Sequence, residues 1–513
     1  MEIQPEIETR ASAAALNGRD PSFLTTDQEA VRAIIQAAVN VELFTIPLYM
    51  ATLYSIQGTH QVTGANNVYQ GRLWPGLAPS FRPGSGLSSN IPENEKAFNT
   101  IFSVFVEEML HLQMASNLAN IMGVTPVFTQ LSPAEGNFAW TCYSNDSTTI
   151  PFIVDFKDCK DEYNQVKYNN IRVKLDDLNL TQNDLFLAIE APEAEARERL
   201  KDEARSKYFP VAPFADWKEN DPLPMFGSIG QMYQCLWDYI NITYADGTNL
   251  WETMYSAGAL QRDLFNNSST GHPYREYQGI ETTVEGWLPE KAKEIVFKLI
   301  CAITDQGEGA DIKEEIEKNY PYLRALNLGP HQGNGLLQAV QPVNQASEKG
   351  LQADYPSYND KGTQLPPAQS THAYARTVDG AKDHYERFEE IRDDLNAGKI
   401  VTWPTWHKNN SWAADNLKTA DYGLNQYPLP KAEDIAAALN RLNNPVKDGT
   451  NQPDPDKRAA SYKQFCQIAT GAIAGITTVL DQYWADQSVG FPFPSMGGSG
   501  DRLMMCWAVF GQV

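Results

Sequence analysis

The chain of 513 residues has a globular composition and a strong excess of acidic side chains. Hydrophobic residues make up 42% of it, and 64 Asp and Glu against 41 Lys and Arg give a formal net charge of -23. This charge disfavours nucleic acids and anionic membrane surfaces as partners, because both would repel the protein.

The targeting and redox features predict a cytoplasmic protein. The N-terminal stretch MEIQPEIETR is acidic and lacks the apolar segment of a secretory signal peptide. The sequence contains no run of about 18 apolar residues, so no membrane span is predicted. The six cysteines include no C-x-x-C pair and are predicted to be reduced thiols.

The first predicted helix carries an acidic residue on its apolar face. Residues 1 to 24 are predicted to form a loosely ordered N-terminal arm. Thr26 and Glu29 have the spacing of a capping box, and a helical apolar pattern follows them. Glu42 falls on this apolar stripe, where it is either a metal ligand or a buried carboxylate that a neighbouring Tyr or Arg satisfies.

The second predicted helix follows a Gly-rich and Pro-rich insertion near residues 58 to 92. It contains Glu108 and His111 in an otherwise apolar pattern and ends at Gly123. Side chains three residues apart project from one face of a helix, so this carboxylate and imidazole can bind one ion. The alternative is a partly solvated Glu beside an ordinary core histidine, since Glu-x-x-His is a short and common pattern.

The middle of the chain predicts a hairpin and further helices. The stretches TIPFIVDF and YNNIRVKL predict a small hairpin between residues 148 and 178. The polar stretch EAEARERLKDEARSKYF predicts a solvated surface helix. Apolar helices are predicted at residues 226 to 242 and 289 to 305. Glu308 follows the second of these helices between two glycines, where its carboxylate either turns back into the bundle or is solvated.

The last third of the chain predicts a second long insertion near residues 328 to 370 and a helix within residues 371 to 396. His384 lies on the apolar face of that helix. Residues 401 to 513 are predicted to be a C-terminal helical extension that packs on the bundle.

Together these helices offer a set of metal ligands. The candidates are Glu42, Glu108, His111, Glu308 and His384. Carboxylates and imidazoles from several helices are typical of ferritin-like di-iron and di-manganese bundles. We therefore predict a mainly α fold with a ferritin-like antiparallel four-helix bundle at residues 25 to 400, additional helices, long loops and a small β-hairpin. It would hold one divalent metal ion, with Fe, Mn and Mg as candidates.

Six sequence stretches, in order along the chain, carry a family resemblance. They are VELFTIPLYMATLYSI, EEMLHLQMASNLANIMG, FLAIEAPE, SIGQMY, DQGEG and HYERFEEI. These stretches resemble the ferritin-like domain of iminophenylpyruvate dimer synthases, which belong to bisindole pigment pathways such as those of violacein and rebeccamycin. The resemblance implies a metal-dependent oxidative enzyme acting on an imine derived from an aromatic amino acid, or on a similar small aromatic substrate.

Two positions depart from that family pattern. Gln231 and Ala381 stand where the pattern has Glu. Without these carboxylates we expect too little negative charge for two irons, and hence a reduced single-metal or structural site.

Two functions follow from these observations. The first is a carrier of a hydrophobic, pigment-type conjugated molecule, favoured by the aromatic-rich loops and by small residues at 469 to 475. The chain is also similar in general character, without a diagnostic motif, to ferritin-like pigment-binding proteins of coloured mushrooms. The alternative is the oxidative enzyme, and a structural bundle without metal is a third reading. The sequence leaves open whether the chain is an enzyme and whether it is a monomer or a homodimer.

Overall fold

The computed structural model describes just over half of the chain. It covers residues 16 to 57, 59 to 61, 73 to 75, 92 to 128, 143, 146 to 263, 281 to 284, 288 to 307, 311 to 326, 383 to 402, 480 to 481 and 484 to 485. The mainly α prediction is confirmed. The helices are α1 Leu24–Ser55, α2 Pro92–Ile121, α3 Leu180–Ile189, α4 Glu193–Glu198, α5 Ile229–Ile240, α6 Leu250–Met254, α7 Pro289–Gln306, α8 Asp311–Asn319 and α9 His384–Asn396.

The described strands are short and pair two by two. They are β1 Asn17–Arg19, β2 Thr59–Gln61, β3 Leu73–Pro75, β4 Thr149–Ile150, β5 Val154–Asp155 and β6 Thr243–Tyr244. β1 pairs with β6 in parallel, while β2 with β3 and β4 with β5 are antiparallel pairs. None of these pairs forms a layer of the core, which is built from helices.

The long helices α1 and α2 form the centre of the fold. α1 packs along α2 and against α5, α2 also contacts α7 and α9, and α3 packs on α9. By length and composition Pro21–Leu53 would be apolar enough to cross a membrane, but 89% of its most apolar window is buried inside the protein. Within the protein this helix is therefore a buried core helix.

The start of α1 differs from the prediction. The helix begins at Leu24, and no side chain caps it. A short 3-10 turn, Pro21–Phe23, runs directly into α1, and Asp20 caps that turn by accepting a hydrogen bond from the Ser22 amide. The proposed Thr26 cap was wrong because the chain is already helical two residues earlier. The last residues of the predicted arm are ordered, since β1 pairs with β6.

The predicted hairpin was placed too widely. The two strands β4 and β5 both lie within TIPFIVDF, and Phe152, with a positive φ of 64°, is part of the turn between them. The stretch YNNIRVKL instead begins with the 3-10 turn Tyr168–Asn170. Its alternating apolar residues Ile171 and Val173 are buried without pairing in a sheet, so alternation here reflects burial alone.

The predicted solvated helix after residue 193 was also wrong. It is divided into the short helix α4 and the 3-10 turn Asp202–Lys207. Between them Arg199 is fully buried and donates to the backbone oxygens of Ala188, at 2.6 Å, and Gly227, at 2.8 Å. This guanidinium ties the end of α3 to the segment that leads into α5.

Replacing Arg199 should therefore destabilise the fold. We expect Arg199→Met to lower the free energy of unfolding by about 2 to 3 kcal/mol, because two buried carbonyls lose their donors. Urea unfolding of the purified variant measures the change. The exposed Arg324 gives the matched control, and Arg324→Met should stay within about 0.5 kcal/mol of the wild type. Equal stability of the two variants would contradict this role.

Several sequence predictions lie outside the described residues. These are most of the insertions at 58 to 92 and 328 to 370, the first part of the helix predicted at 371 to 396, and most of the C-terminal extension. From that extension, Asp481 accepts a hydrogen bond from the backbone amide of Phe128 at 2.6 Å, just after α2. The described cysteines, Cys159, Cys235 and Cys301, are buried.

Candidate metal centre

Four separate parts of the fold bring ionisable side chains to one buried point. Glu42 comes from the middle of α1, and Glu108 and His111 come from successive turns of α2. Glu190 is the residue that ends α3, and His384 is the first residue of α9. Each of these five side chains is at most 3% exposed, which requires that charges among them be compensated.

Glu108 lies at the centre of this cluster. Its Oε1 is 3.6 Å from Nδ1 of His111 and 3.1 Å from Nδ1 of His384. On one side, Oε2 of Glu42 lies 3.8 Å from the same nitrogen of His111. On the other side, Oε2 of Glu190 lies 3.4 Å from that of His384. The ligand atoms thus form two overlapping groups that share Glu108. Within each group, all ligand atoms lie within 4.8 Å of one another.

These separations suit metal ions. Donor atoms bound at about 2.1 Å to a common ion lie about 3 to 3.5 Å apart in tetrahedral or octahedral geometry. The distances from Nδ1 of His384 to its two carboxylates, 3.1 and 3.4 Å, lie in this range. Those from Nδ1 of His111, 3.6 and 3.8 Å, are a few tenths of an ångström longer. Nδ1 of His384 is buried and makes no hydrogen bond within the described residues. An ion would supply the partner that this nitrogen lacks.

Glu190 was not among the predicted ligands. The stretch FLAIEAPE, which contains it, carried part of the family resemblance, but the missing carboxylate was expected at residue 231. The side chain of Gln231 donates to the backbone oxygen of Pro210 at 3.1 Å, so it is engaged outside the cluster. Glu190 takes the place of the expected carboxylate. The signal that could have found it was a single acidic residue directly after an apolar helical run, since burial of such a group needs a partner.

A hydroxyl group contacts one oxygen of each carboxylate. The Tyr233 hydroxyl donates to Oε1 of Glu42 at 2.8 Å, and the Tyr49 hydroxyl donates to Oε1 of Glu190. Thr45 Oγ1 lies 2.7 Å from Oε2 of Glu108. Burial and the carboxylate of Glu190 raise the pKa of Tyr49 well above its usual value, which keeps its phenol protonated. The other oxygen of each carboxylate is left facing an imidazole.

His384 is held from outside the cluster by a second acidic residue of α2. Its Nε2 lies 2.9 Å from Oε2 of Glu107, and because a carboxylate only accepts, the ring nitrogen donates. Arg387 donates to the same oxygen at 2.7 Å and to the Ser103 hydroxyl at 3.0 Å. With Nε2 carrying the proton, Nδ1 of a neutral His384 presents its lone pair to the cluster, as a metal ligand must.

The pKa shifts show how strongly the cluster needs positive charge. Burial raises the pKa of Glu42 to about 8, against the opposing effect of His111. Burial would also raise the pKa of Glu108, but the adjacent imidazoles of His111 and His384 lower it to about 2. Burial disfavours both imidazolium ions, yet the surrounding carboxylates raise both histidine pKa values. Without metal the cluster therefore retains protons, and a binding ion must displace them.

Four of the five predicted ligands meet in this cluster, and the fifth is untested. Glu308 lies outside the described residues, although its neighbour Gly307 is described. A Cβ added to Gly307 would lie 3.4 Å from Oε2 of Glu190, so the end of α7 contacts the cluster. Ala381 also lies outside the described residues. Asp383 caps α9 with an extended backbone, and the helix begins at His384.

The helical core and the buried cluster define a class of protein, namely helical bundles whose carboxylates and histidines can hold metal ions. The sequence model of the Ferritin-like family matches residues 35–323, more than half of the chain. The chain therefore belongs to the Ferritin-like family.

One solved structure can be compared with the chain. The crystal structure of a ferritin like protein from Caulobacter vibrioides is similar to the chain at 17% sequence identity, over 72% of this chain and 94% of that chain, with a TM-score of 0.30. No curated protein matches the chain. The narrower resemblance to iminophenylpyruvate dimer synthases stays a prediction.

Proposed function

We propose that the protein binds two divalent transition-metal ions and uses them in an oxidative reaction. The observation that carries this proposal is the pair of overlapping ligand groups that share Glu108. The earlier expectation of a single ion counted the missing carboxylates at residues 231 and 381 but left out Glu190. With that residue, each ion would have two carboxylates and one imidazole as ligands.

The number of donors favours catalysis over a purely structural role. Among the described residues, each group offers three protein ligands, and the hydroxyls of Tyr233, Thr45 and Tyr49 engage one oxygen of each carboxylate. Structural metal sites are closed by protein ligands, whereas catalytic sites keep positions open for water or substrate. Three donors leave such positions.

The metal ions and the protein residues would have different roles in the reaction. Bound iron or manganese supplies electron transfer and Lewis acidity. The carboxylates of Glu42, Glu108 and Glu190 balance the charge of the ions, and His111 and His384 add neutral nitrogen ligands. Burial of all five side chains excludes bulk water, which strengthens every electrostatic interaction in the site. Glu42, whose pKa is raised to about 8, can hold a proton near neutral pH when no cation is present.

For the substrate we propose an imine derived from an aromatic amino acid or a similar small aromatic molecule. This proposal rests on the six stretches that resemble iminophenylpyruvate dimer synthases. Three of them, VELFTIPLYMATLYSI, EEMLHLQMASNLANIMG and HYERFEEI, carry Glu42, Glu108, His111 and His384. Since one bundle hosts many chemistries, the substrate needs its own experiment.

Metal content and oxygen uptake test the proposed function. The full-length protein is equilibrated anaerobically with Fe(II) or Mn(II), freed of excess metal and measured by elemental analysis. We expect about two ions per chain, and oxygen consumption when the Fe(II) form meets air. The consumption should rise with an aromatic imine or amino acid from a substrate panel. Metal content at background level would overturn the proposal.

A carrier of a hydrophobic molecule is the second candidate, and one cavity favours it. An open cleft of about 680 Å³ is lined mostly by apolar side chains of the segment from Pro210 to Pro224, among them Phe214 and Trp217. Its volume is in the range of small-molecule sites. A visible absorption band that survives dialysis and is extracted by organic solvent would support the carrier. A colourless protein with the expected metal content would favour the enzyme.

A further inference from the structure

The three ligand carboxylates differ in the number of ligand groups to which they belong. Glu42 and Glu190 each serve one ligand group, but Glu108 serves both. The orientation of the Glu108 carboxylate decides which of its oxygens is offered to the two groups.

The structure shows which oxygen of Glu108 faces the ligands. Both distances to the imidazole nitrogens, 3.6 Å to His111 and 3.1 Å to His384, are made by Oε1. The two rings lie with their centroids 5.7 Å apart. Oε2 instead contacts the hydroxyl of Thr45 at 2.7 Å.

Thr45 is itself fixed on the same helix face as Glu42. The two residues are three apart, and Thr45 Oγ1 also lies 2.9 Å from the backbone oxygen of Glu42. A hydroxyl has a single proton. Because the contact with Oε2 of Glu108 is shorter and its acceptor is a carboxylate, the proton is donated there. The Glu42 carbonyl, which can only accept, is the weaker alternative acceptor for this proton.

We propose that Thr45 is a positioning residue that holds Oε2 of Glu108, so that Oε1 faces both His111 and His384 and would be the oxygen offered to both ligand groups. This inference rests on the proposed two-metal site. Without the Thr45 hydroxyl, Oε2 would lose its donor, and the carboxylate would be free to rotate away from the two imidazoles.

The test replaces Thr45 by residues of similar shape. Thr45→Val removes the hydroxyl, and Thr45→Ser keeps it. Mn(II) is titrated into the metal-free full-length protein, and the bound ions are followed by elemental analysis and electron paramagnetic resonance. We expect Thr45→Val to bind Mn(II) about 10 to 100-fold more weakly and to lose the magnetic coupling of the wild-type pair. Thr45→Ser should retain both properties.

Thr52 supplies a matched control on the same helix. It is buried and its hydroxyl donates to the backbone oxygen of Leu48 at 2.9 Å, but it makes no contact with the cluster among its described hydrogen bonds. Thr52→Val should bind and couple Mn(II) as the wild type does. If Thr45→Val fails to fold, Thr45→Ala takes its place.

The outcomes separate this inference from the proposed function. A wild-type protein that binds no Mn(II) would reject the metal site as a whole. A wild type with a coupled pair, together with an equally tight and equally coupled pair in Thr45→Val, would overturn the role of Thr45 alone. The role of Thr45 would also be overturned if Thr52→Val lost Mn(II) binding to the same extent. The loss would then come from a general disturbance of α1 and not from the contact with Glu108.

Discussion

Glu108→Ala should remove both metal ions from the protein. Its Oε1 is the carboxylate oxygen nearest to Nδ1 of both imidazoles, so its loss takes a ligand from each group at once. We expect affinity to fall by more than the about 10 to 100-fold that is typical when an outer-shell partner is lost. Elemental analysis after dialysis against a fixed Mn(II) concentration gives the stoichiometry directly.

Variants of Glu42 and Glu190, which each belong to one ligand group, should lose less bound metal than Glu108→Ala. Glu42→Ala and Glu190→Ala each damage one of the two groups, so each should retain the ion of the other group. The buried Glu193, which pairs with Arg197 at 2.8 Å, is the matched control, and Glu193→Gln should keep wild-type metal content. If Glu108→Ala retained as much metal as Glu193→Gln, the assignment of the shared ligand would be wrong.

Glu107→Ala should be the most destabilising of the substitutions proposed for the cluster. Its carboxylate pairs with Arg387 at 2.7 Å, and the two side chains are 0% and 3% exposed. Removing one partner of a buried ion pair costs about 3 to 5 kcal/mol, because the other charge stays buried without it. Urea unfolding of the metal-free protein measures this loss. The same variant should bind metal more weakly, since Glu107 also orients His384.

Removing both charges separates the two effects. The double variant Glu107→Leu with Arg387→Met leaves no unpaired charge at this pair, so it should regain most of the lost stability. It should not regain metal affinity, because Nε2 of His384 still lacks its acceptor. A single variant as stable as the wild type would contradict the stabilising role of Glu107. A double variant that bound metal as tightly as the wild type would contradict its role in orienting His384.

The sequence predicted the helices well wherever local chemistry sets their bounds. Pro289 begins α7, as its place at the first turn suggested. Gly123 follows α2 with a positive φ of 71°, the conformation that ends many helices at a glycine. The prediction failed at the charged stretch after residue 193, where the composition indicated solvent but Arg199 is buried. Composition alone cannot show that two distant carbonyls will bind one guanidinium.

The candidate site was predictable to the extent that it follows from helix geometry. The spacing of three residues between Glu108 and His111 places both on one face, whatever the rest of the chain does. Placing Glu42 and His384 on apolar stripes identified further buried ionisable groups. Glu190 escaped because it stands where α3 ends, and a residue at a helix end has no periodic pattern that assigns it to a face.

The sequence by itself determined which helix faces are buried and which ionisable residues lie on them, because the period of an amphipathic helix depends only on residues close together in the chain. Only the tertiary structure decided which of these residues meet. The Tyr49 hydroxyl and Glu190 that bond each other are 141 residues apart, and Thr45 and Glu108 are 63 apart. Such contacts depend on how whole helices pack, so the second ligand group and the orientation of Glu108 became visible only in the folded protein.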